Sequence, residues 1–241
     1  LIQDLLMIHY ELQNNAEKRN FYAKRLFEMN ELPVGMLNWG YNVLSELEEN
    51  AILFTYGDND TYAPWIVQAA KGFRKDVTII NLHLIQIDDY RDRMLKQLGY
   101  EPFVLREAKT EEEHQKIGNE MYEHFLKGKR PAYFSASAIN GFEETFGDKF
   151  YLTGLAYKYS ESSFDNTAII RRNYENRYLL DYLKEVFSYN IGDLKGEYFN
   201  GMYVPSMIKL YNHYSETEET VKKQKLEILL LKVAEQSGQR N

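Results

Sequence analysis

The sequence predicts an α/β fold of three layers, in which tetratricopeptide-like helical hairpins flank a Rossmann-like, mainly parallel sheet. The first observation behind this prediction is a strand, helix and strand pattern within residues 51–81. An apolar run at 51–54 and a β-branched run at 77–80 enclose a short helical stretch, and such a unit places its two strands in parallel. The second observation is helical periodicity near both ends of the chain.

Helical hairpins are predicted at both ends of the chain. Residues 1–13 and 16–29 each repeat apolar side chains at helical spacing, and Asn14-Asn15 separates the two stretches. Residues 204–214 and 218–235 show the same arrangement. Paired helices joined by a short turn are typical of a tetratricopeptide unit. The expected division is an N-terminal helical hairpin, an α/β domain and a C-terminal helical region packed on it, at 1–33, 34–165 and 166–241.

The elements between the hairpins follow from apolar runs and from the residues that begin or end them. Pro33 is expected to open a helix, whereas Gly72 and Gly99 are expected to end helices, and Gly154 predicts a bulge. In chain order we expect a helix at 34–49, a strand at 51–56, a helix at 61–71, a strand at 77–82, helices at 88–98 and 111–126, a strand at 132–136, a strand or hairpin at 150–159, and a helical tract from Asp165 with a break at 190–200.

The end of the helix at 34–49 carries Glu46, Glu48 and Glu49. Negative charge is unfavourable at a helix C-terminus because the backbone carbonyls there are unpaired. We therefore expect this helix to fray into the loop before the first strand.

Composition narrows the class of protein. The 241 residues are 44% hydrophobic and 15% aromatic, which is enough to build a sizeable core. A net charge of −7 argues against a nucleic-acid partner, because phosphate binding needs a basic surface. The absence of cysteine excludes disulfides, zinc–thiolate sites and cysteine nucleophiles. No apolar run approaches the roughly 18 residues of a membrane span, so none is expected in this chain.

An acidic turn follows the first predicted strand and is the leading candidate for a functional site. It reads Gly57-Asp58-Asn59-Asp60-Thr61, at the carboxyl end of a parallel strand, where open α/β sheets place their ligands. Asp58 and Asp60 match the D-x-D pattern by which many glycosyltransferases hold a divalent metal and a sugar nucleotide. Their oxygens suit Mg²⁺ or Mn²⁺. This interpretation predicts a metal site at Asp58 and Asp60.

The alternative interpretation of the turn is structural, and it requires no cofactor. Asp60 or Thr61 would then cap the following helix, Asp58 would form an Asx-turn, and Gly57 would supply backbone freedom. In that case Asp60→Ala should cost about 1 kcal/mol of stability, and Asp60→Asn should be nearly harmless because Asn caps as well as Asp. No cofactor is our expectation, with Mg²⁺ or Mn²⁺ as the alternative.

Further polar and aromatic side chains lie near this turn in the sequence. Tyr62 and Trp65 are candidates for stacking on a sugar ring or, alternatively, for the core. Asn81 and His83 end the second strand and would line the same crevice if they point to one face. Ser135 and Ser137 lack a Gly-x-Ser-x-Gly elbow, which argues against a serine hydrolase. The candidate ligand-binding residues are Asp58, Asn59, Asp60, Tyr62, Trp65, Asn81 and His83.

Several ordered motifs point to a known family. They are GDNDTY at 57–62 with Trp65 and Gln68, RKDV at 74–77, NLHL at 81–84, RPAYFSAS at 130–137 and YLTGLAYKYS at 151–160. Together they resemble the soluble C-terminal region of bacterial protein O-mannosyltransferase-like, GT-C-type multispanning membrane proteins, a region of unknown function. The chain departs from the family pattern at Tyr62, where Phe is common, and at Lys158, where Arg is common.

The resemblance implies an extracytoplasmic, glycan-related setting, and it concerns the accessory part of that family rather than its membrane-embedded transferase. We therefore expect an exported, non-catalytic accessory or binding module linked to glycan or glycoprotein handling. One alternative is a metal-dependent glycosyl- or phosphoryl-transfer enzyme that uses Asp58 and Asp60. The other is a protein–protein scaffold, suggested by the helical hairpins. A glycan or a protein is the expected partner, and nucleic acid is not.

Overall fold

The fold is mixed α/β, with one open sheet of five strands among many helices. The computed structural model describes residues 2–30, 32–139, 142–184 and 194–237. In chain order its helices and strands are α1 (Ile2–Leu12), α2 (Ala16–Glu28), α3 (Val34–Glu46), β1 (Ile52–Thr55), α4 (Asp58–Lys71), β2 (Thr78–Asn81), α5 (Asp88–Leu98), α6 (Glu111–Leu126), β3 (Ala132–Ser135), α7 (Phe142–Phe146), β4 (Phe150–Leu152), β5 (Ala156–Tyr159), α8 (Asn166–Arg172), α9 (Asp181–Lys184), α10 (Leu194–Gly201), α11 (Val204–Glu216) and α12 (Thr220–Gln236). A 3₁₀ turn at Leu84–Gln86 and a π-helical turn at Asn173–Arg177 complete the set.

The sheet has the strand order β2-β1-β3-β5-β4. β1 runs parallel to both β2 and β3, which confirms the predicted parallel pairing of the first two strands. β5 is antiparallel to β3 and to β4, so the last strand region is the hairpin that the sequence allowed. Gly154, with a φ of 153°, lies between β4 and β5, in the turn of this hairpin rather than in a bulge within a strand.

The strand order places a topological switch point at β1. From β1 the chain passes through α4 to β2 on one side, and later returns to β3 on the other side of β1. Connections that leave a strand in opposite directions open a crevice at the carboxyl ends of the parallel strands, which is where open α/β sheets bind ligands. In this protein that crevice lies above the ends of β1 and β3, and we call it the β1–β3 crevice.

The side chains of the parallel strands alternate between two apolar clusters. Leu53, Ile79 and Tyr133 contribute to a cluster that also contains residues of α1–α4, α8, α11 and α12. Phe54 and Phe134, from neighbouring strands, contribute to a second cluster with residues of α5 and α6. Because successive residues of a strand point to opposite faces, helices lie on both faces of the sheet. The first cluster contains residues from all three predicted domains. The division of the chain into these domains stays a prediction.

The start of α4 and the helix α10 differ from the prediction. α4 begins at Asp58 rather than at residue 61, because the side chain of Asp60 accepts the backbone N–H of Gly57 and so stabilises almost one additional turn at the helix N-terminus. Residues 194–201 form α10, although a break was expected at 190–200. Gly and Asp in that stretch suggested a loop. Phe199, however, packs in the first apolar cluster, which is the main one, and its burial stabilises the helix. Residues 190–193 lie outside the described part of the chain.

α3 ends at Glu46, three residues before the predicted end at 49, so residues 47–49 belong to the loop before β1, and fraying of this end stays a prediction. Two arginines satisfy the last carbonyls of α3. The Nη1 atom of Arg74 donates to the carbonyls of Leu44 and Leu47, both at 2.8 Å. The Nη1 atom of Arg177 donates to the carbonyls of Ser45 and Glu46, both at 3.0 Å. Cations at a helix C-terminus also interact favourably with the helix dipole.

The close contact between α3 and α4 makes a matched pair of glycine substitutions informative. A Cβ atom on Gly40 of α3 would lie 2.8 Å from the carbonyl carbon of Ala63, whereas a Cβ atom on Gly118 of α6 would meet nothing within 4 Å. We expect Gly40→Ala to destabilise the protein by roughly 1–3 kcal/mol through overpacking. Gly118→Ala should instead stabilise it by up to about 1 kcal/mol through helix propensity. Urea unfolding of both variants measures this, and effects of the same sign would contradict the described packing.

Candidate functional site

The carboxylate of Asp60 lies at the base of the β1–β3 crevice and is almost fully buried, with 3% of the residue exposed. Its Oδ1 atom accepts the backbone N–H of Gly57 at 2.8 Å, and its Oδ2 atom accepts that of Tyr56 at 2.9 Å. The hydroxyls of Ser135 and Ser137 also donate to Oδ2, at 2.7 and 2.6 Å. A buried carboxylate is tolerated when hydrogen bonds of this kind replace its water. Asp60 therefore ties the start of α4 to the end of β3.

A second set of hydrogen bonds ties the same turn to β2. The side-chain amide of Asn81 donates to the hydroxyl of Thr61 at 2.9 Å, and that hydroxyl lies 2.7 Å from the hydroxyl of Thr55. The side-chain oxygen of Asn81 accepts the backbone N–H groups of His83 and Leu84 at 2.9 and 3.2 Å. Asn81 consequently connects the turn after β1 to the turn after β2.

The other acidic-turn residues are more exposed. Asp58, the first residue of α4, is exposed, and Asn59 is partly exposed. Among residues 2–30, 32–139, 142–184 and 194–237, no group of three or more His, Cys, Asp or Glu side chains is arranged to hold a metal ion. The Oδ2 atom of Asp60 already accepts three hydrogen bonds and Oδ1 accepts one, so a metal that displaced no donor would have to bind through Oδ1. The metal site at Asp58 and Asp60 stays a prediction.

The two aromatic candidates of α4 lie in the main apolar cluster. Tyr62 is 8% exposed and Trp65 is 2% exposed. The guanidinium of Arg19, from α2, lies 5.3 Å from the centre of the Trp65 ring. These contacts join α4 to the N-terminal hairpin. The structure thus places both rings among the core residues that the sequence offered as their alternative.

The β1–β3 crevice itself is lined by a different set of side chains. It has a volume of about 510 Å³, and its lining residues are Tyr56, Ala136, Ser137, Glu197, Tyr198, Gly201, Met202 and Ser237. Tyr56 is 51% exposed and Tyr198 is 53% exposed, so both rings offer a free face. His83, a sequence candidate, is exposed beside this set, with its ring 4.6 Å from that of Tyr56.

Tyr198 lines the crevice together with Ser137, whose hydroxyl donates to Asp60. Burial raises the pKa of Tyr198, and the charge of the nearby Asp60 raises it further, while interaction with the Ser137 side chain opposes the shift. The hydroxyl of Tyr198 is therefore protonated in neutral solution.

Sequence reasoning missed Glu197 and Tyr198 because it expected a break in α10. It also passed over Tyr56, although this aromatic residue directly precedes the glycine of the acidic turn. An aromatic side chain at the carboxyl end of a central strand was the available signal.

Several motif residues hold the connection between α4 and β2. The side-chain amide of Gln68 donates to the carbonyls of Arg74 and Val77, both at 2.9 Å. Arg74 pairs with Asp76 at 2.8 Å, and Asp76 accepts the backbone N–H of Asn50 at 3.0 Å. The hydrogen bond from Arg74 lowers the pKa of Asp76 to about 2. These contacts tie the connection between α4 and β2 to the residue that precedes β1 by two positions, Asn50.

A comparison with known protein families gave a match. Residues 36–123 match the family model described as TMEM260-associated domain 2, a domain of unknown function whose name links it to a membrane protein family. The matched range takes in Asp60 and Asn81 but not Ser137 or Tyr198. No curated protein and no solved structure matched the chain. Within the described ranges, no helix combines the length and the apolar character needed to cross a membrane.

Proposed function

We propose that this protein is a non-catalytic binding module that holds a glycan in the β1–β3 crevice. The observation that carries the proposal is the pairing of two half-exposed tyrosines, Tyr56 and Tyr198, with the hydroxyl of Ser137 and the carboxylate of Glu197 in one cavity. The cavity lies at the topological switch point of the sheet, where α/β proteins bind small molecules. Its volume of about 510 Å³ is in the range of small-molecule sites.

The side chains of the crevice suit the chemistry of sugars. A pyranose ring has an apolar face of C–H groups that packs on an aromatic ring, and an edge of hydroxyls that needs donors and acceptors. Tyr56 and Tyr198 supply aromatic faces, and Glu197 supplies an acceptor. The Ser137 hydroxyl already donates to Asp60 and can accept a further hydrogen bond from a ligand.

A binding role is favoured over catalysis because the polar groups next to the crevice are committed to the fold. Asp60 accepts hydrogen bonds from two backbone amides and two serines, which leaves it poorly placed to act as a base. Two alternative functions remain. One is a metal-dependent transferase centred on Asp58 and Asp60, and the other is a protein–protein scaffold.

The setting we propose is extracytoplasmic and glycan-related. It is supported by the resemblance of the motifs to the accessory region of O-mannosyltransferase-like proteins and by the membrane-protein name of the matched domain. We further propose that the β2-β1-β3 part of the sheet is Rossmann-like, since its three strands are parallel around a switch point. The packed pairs α1–α2 and α11–α12 are proposed as tetratricopeptide-like hairpins.

Titration calorimetry with linear mannose oligosaccharides tests the proposal. We expect wild-type protein to bind, and Tyr56→Ala and Tyr198→Ala each to weaken binding about tenfold, which corresponds to about 1.4 kcal/mol for the loss of one stacked ring. Tyr10→Ala is the matched control, since this partly exposed tyrosine of α1 stacks on Tyr22 and does not line the crevice.

Two results would contradict the proposal, one from a second titration with Mn²⁺ and a sugar nucleotide and one from the saccharide titration. The first is heat from Mn²⁺ and a sugar nucleotide that disappears in Asp58→Asn, which would favour the transferase. The second is the absence of saccharide binding by a folded wild-type protein, which would leave the scaffold as the better interpretation.

A further inference from the structure

A second cavity lies in the C-terminal helical region, and we call it the α11–α12 groove. It has a volume of about 660 Å³ and opens to solvent. Its apolar lining comes from four leucines, one isoleucine and two tyrosine rings, namely Leu180, Leu210, Leu226, Leu229, Ile228, Tyr174 and Tyr214. None of these residues lines the β1–β3 crevice, so the two cavities are separate.

The rim of the groove is basic. Four lysines, Lys184, Lys222, Lys225 and Lys232, line it. Among the described lining residues the acidic one is Glu175, which accepts the hydroxyl of Tyr214 at 2.8 Å and the Nζ atom of Lys222 at 2.9 Å. Lys184 pairs with Asp181, and Lys222 pairs with Glu219 as well as with Glu175. Lys184 and Lys222 are thus ion-paired, and the four lysines still outnumber the acidic side chain in the described lining, in a chain whose net charge is −7. A basic rim in an acidic protein selects an anionic ligand by charge complementarity.

The apolar part and the basic part of the groove would bind different parts of one ligand. Leucine side chains bind hydrocarbon, whereas the lysine ammonium groups bind a carboxylate or another oxyanion. The volume fits a small molecule, while an amphipathic peptide helix needs a longer groove with anchors over two turns. We propose that the α11–α12 groove binds a single-chain anionic amphiphile, with its acyl chain on the leucines and its head group at the lysines.

The groove offers two substitutions at solvent-exposed positions, each with a matched control on the same helix. Ile228 lines the groove and is 65% exposed, whereas Leu231 is 66% exposed and does not line it. Lys225 lines the groove, whereas Lys223 lies over the ring of Tyr211, outside the lining. Ile228, Leu231 and Lys225 are exposed and Lys223 is partly exposed, so their replacement should leave the fold unchanged.

The test is titration calorimetry with dodecanoate below its micelle concentration. We expect Ile228→Ser to weaken binding roughly tenfold through lost apolar contact, and Lys225→Gln to weaken it roughly threefold through lost charge. Leu231→Ser and Lys223→Gln should stay within about twofold of wild type. Octanoate should bind more weakly than dodecanoate, because each lost methylene weakens apolar binding by roughly fourfold. Dodecanol should also bind more weakly, and added salt should weaken dodecanoate binding more than dodecanol binding.

Three outcomes would overturn the proposal. Absence of dodecanoate binding by the folded wild-type protein is the first. Equal losses in the groove variants and their controls are the second, since they would indicate nonspecific adsorption on α12. The third is binding to vesicles of anionic phosphatidylglycerol without binding to free dodecanoate, which would identify a membrane-contact surface instead.

Discussion

Asp60→Ala is expected to lower the free energy of unfolding by about 3–5 kcal/mol, several times the loss of an ordinary helix cap. The substitution removes the acceptor of four hydrogen bonds at once. The backbone N–H groups of Tyr56 and Gly57 would lose their partner next to the buried end of β1, and the hydroxyl of the buried Ser135 would lose its acceptor. Unpaired buried donors each cost about 1–3 kcal/mol.

Chemical unfolding of three variants measures this effect. Asp60→Asn should fall between wild type and Asp60→Ala, since its one carbonyl oxygen keeps part of the network while its amide faces other donors. Asp58→Ala is the matched control, because this exposed acid of the same turn should contribute below about 1 kcal/mol through the helix dipole. A loss of only about 1 kcal/mol in Asp60→Ala would reduce Asp60 to a simple cap. That smaller value is the one the sequence alone predicts.

The parts of the fold that the sequence predicts well are those decided by local chemistry. Apolar periodicity with acidic starts located α5 and α6 at 88–98 and 111–126, the bounds that the structure has. Gly99 ends α5 in a left-handed conformation, which favours glycine. The parallel pairing of β1 with β2 followed from the length of the connection, because a single helix fits between them.

The parts that the sequence could not supply depend on contacts between distant residues. The sequence offered Asp60 as a metal ligand or, alternatively, as a helix cap, but its serine partners lie 75 and 77 residues further along the chain. No local pattern indicates such a contact, since it is produced by the pairing of β1 with β3. Tyr198 reaches the crevice from α10, whose helical state depends on packing rather than on propensity. The ring positions of Tyr62 and Trp65 were likewise decided by the contact between α2 and α4.

The residues that support the site differ from the residues that can contact a ligand. Asp60 and Asn81 hold the turns after β1 and β2 in place. Tyr56 and Tyr198 present their faces above them. The strongest motif in the sequence thus supports the crevice from below, and the binding surface we propose is formed by residues whose individual sequence signals are weak. Rigid support of this kind favours affinity, because less conformational freedom is lost on binding.

The largest pH effect is expected from Glu46, the last residue of α3, which is 2% exposed. Its carboxylate accepts the backbone N–H groups of Leu155 and Ala156 at 2.9 and 2.8 Å and the hydroxyls of Thr153 and Tyr178. Glu46 thereby fastens the β4–β5 hairpin to α3. Burial raises the pKa of Glu46 from 4.5 to about 7, although these hydrogen bonds act in the opposite direction.

The raised pKa gives the stability contribution of Glu46 a definite sign. Below pH 4.5 the carboxyl is protonated in both the folded and the unfolded state, and its contribution is fully present. Between pH 4.5 and about 7 the unfolded state has released its proton while the folded state retains it, so stability falls as the pH rises. Above about pH 7 the loss is complete. The interval between the two pKa values corresponds to about 3 kcal/mol.

Urea unfolding of wild type and Glu46→Gln from pH 4 to 8 isolates this contribution. We expect Glu46→Gln to be the less stable protein at pH 4 and the difference from wild type to shrink by about 3 kcal/mol by pH 8, because only wild type loses stability through the titration. Glu48→Gln is the control: partial burial raises the pKa of Glu48, but the hydrogen bond and charge of Lys158 outweigh this and lower it. Its effect therefore falls below pH 4.5. Parallel profiles for wild type and Glu46→Gln would show that Glu46 is ionised throughout, with its hydrogen bonds outweighing burial.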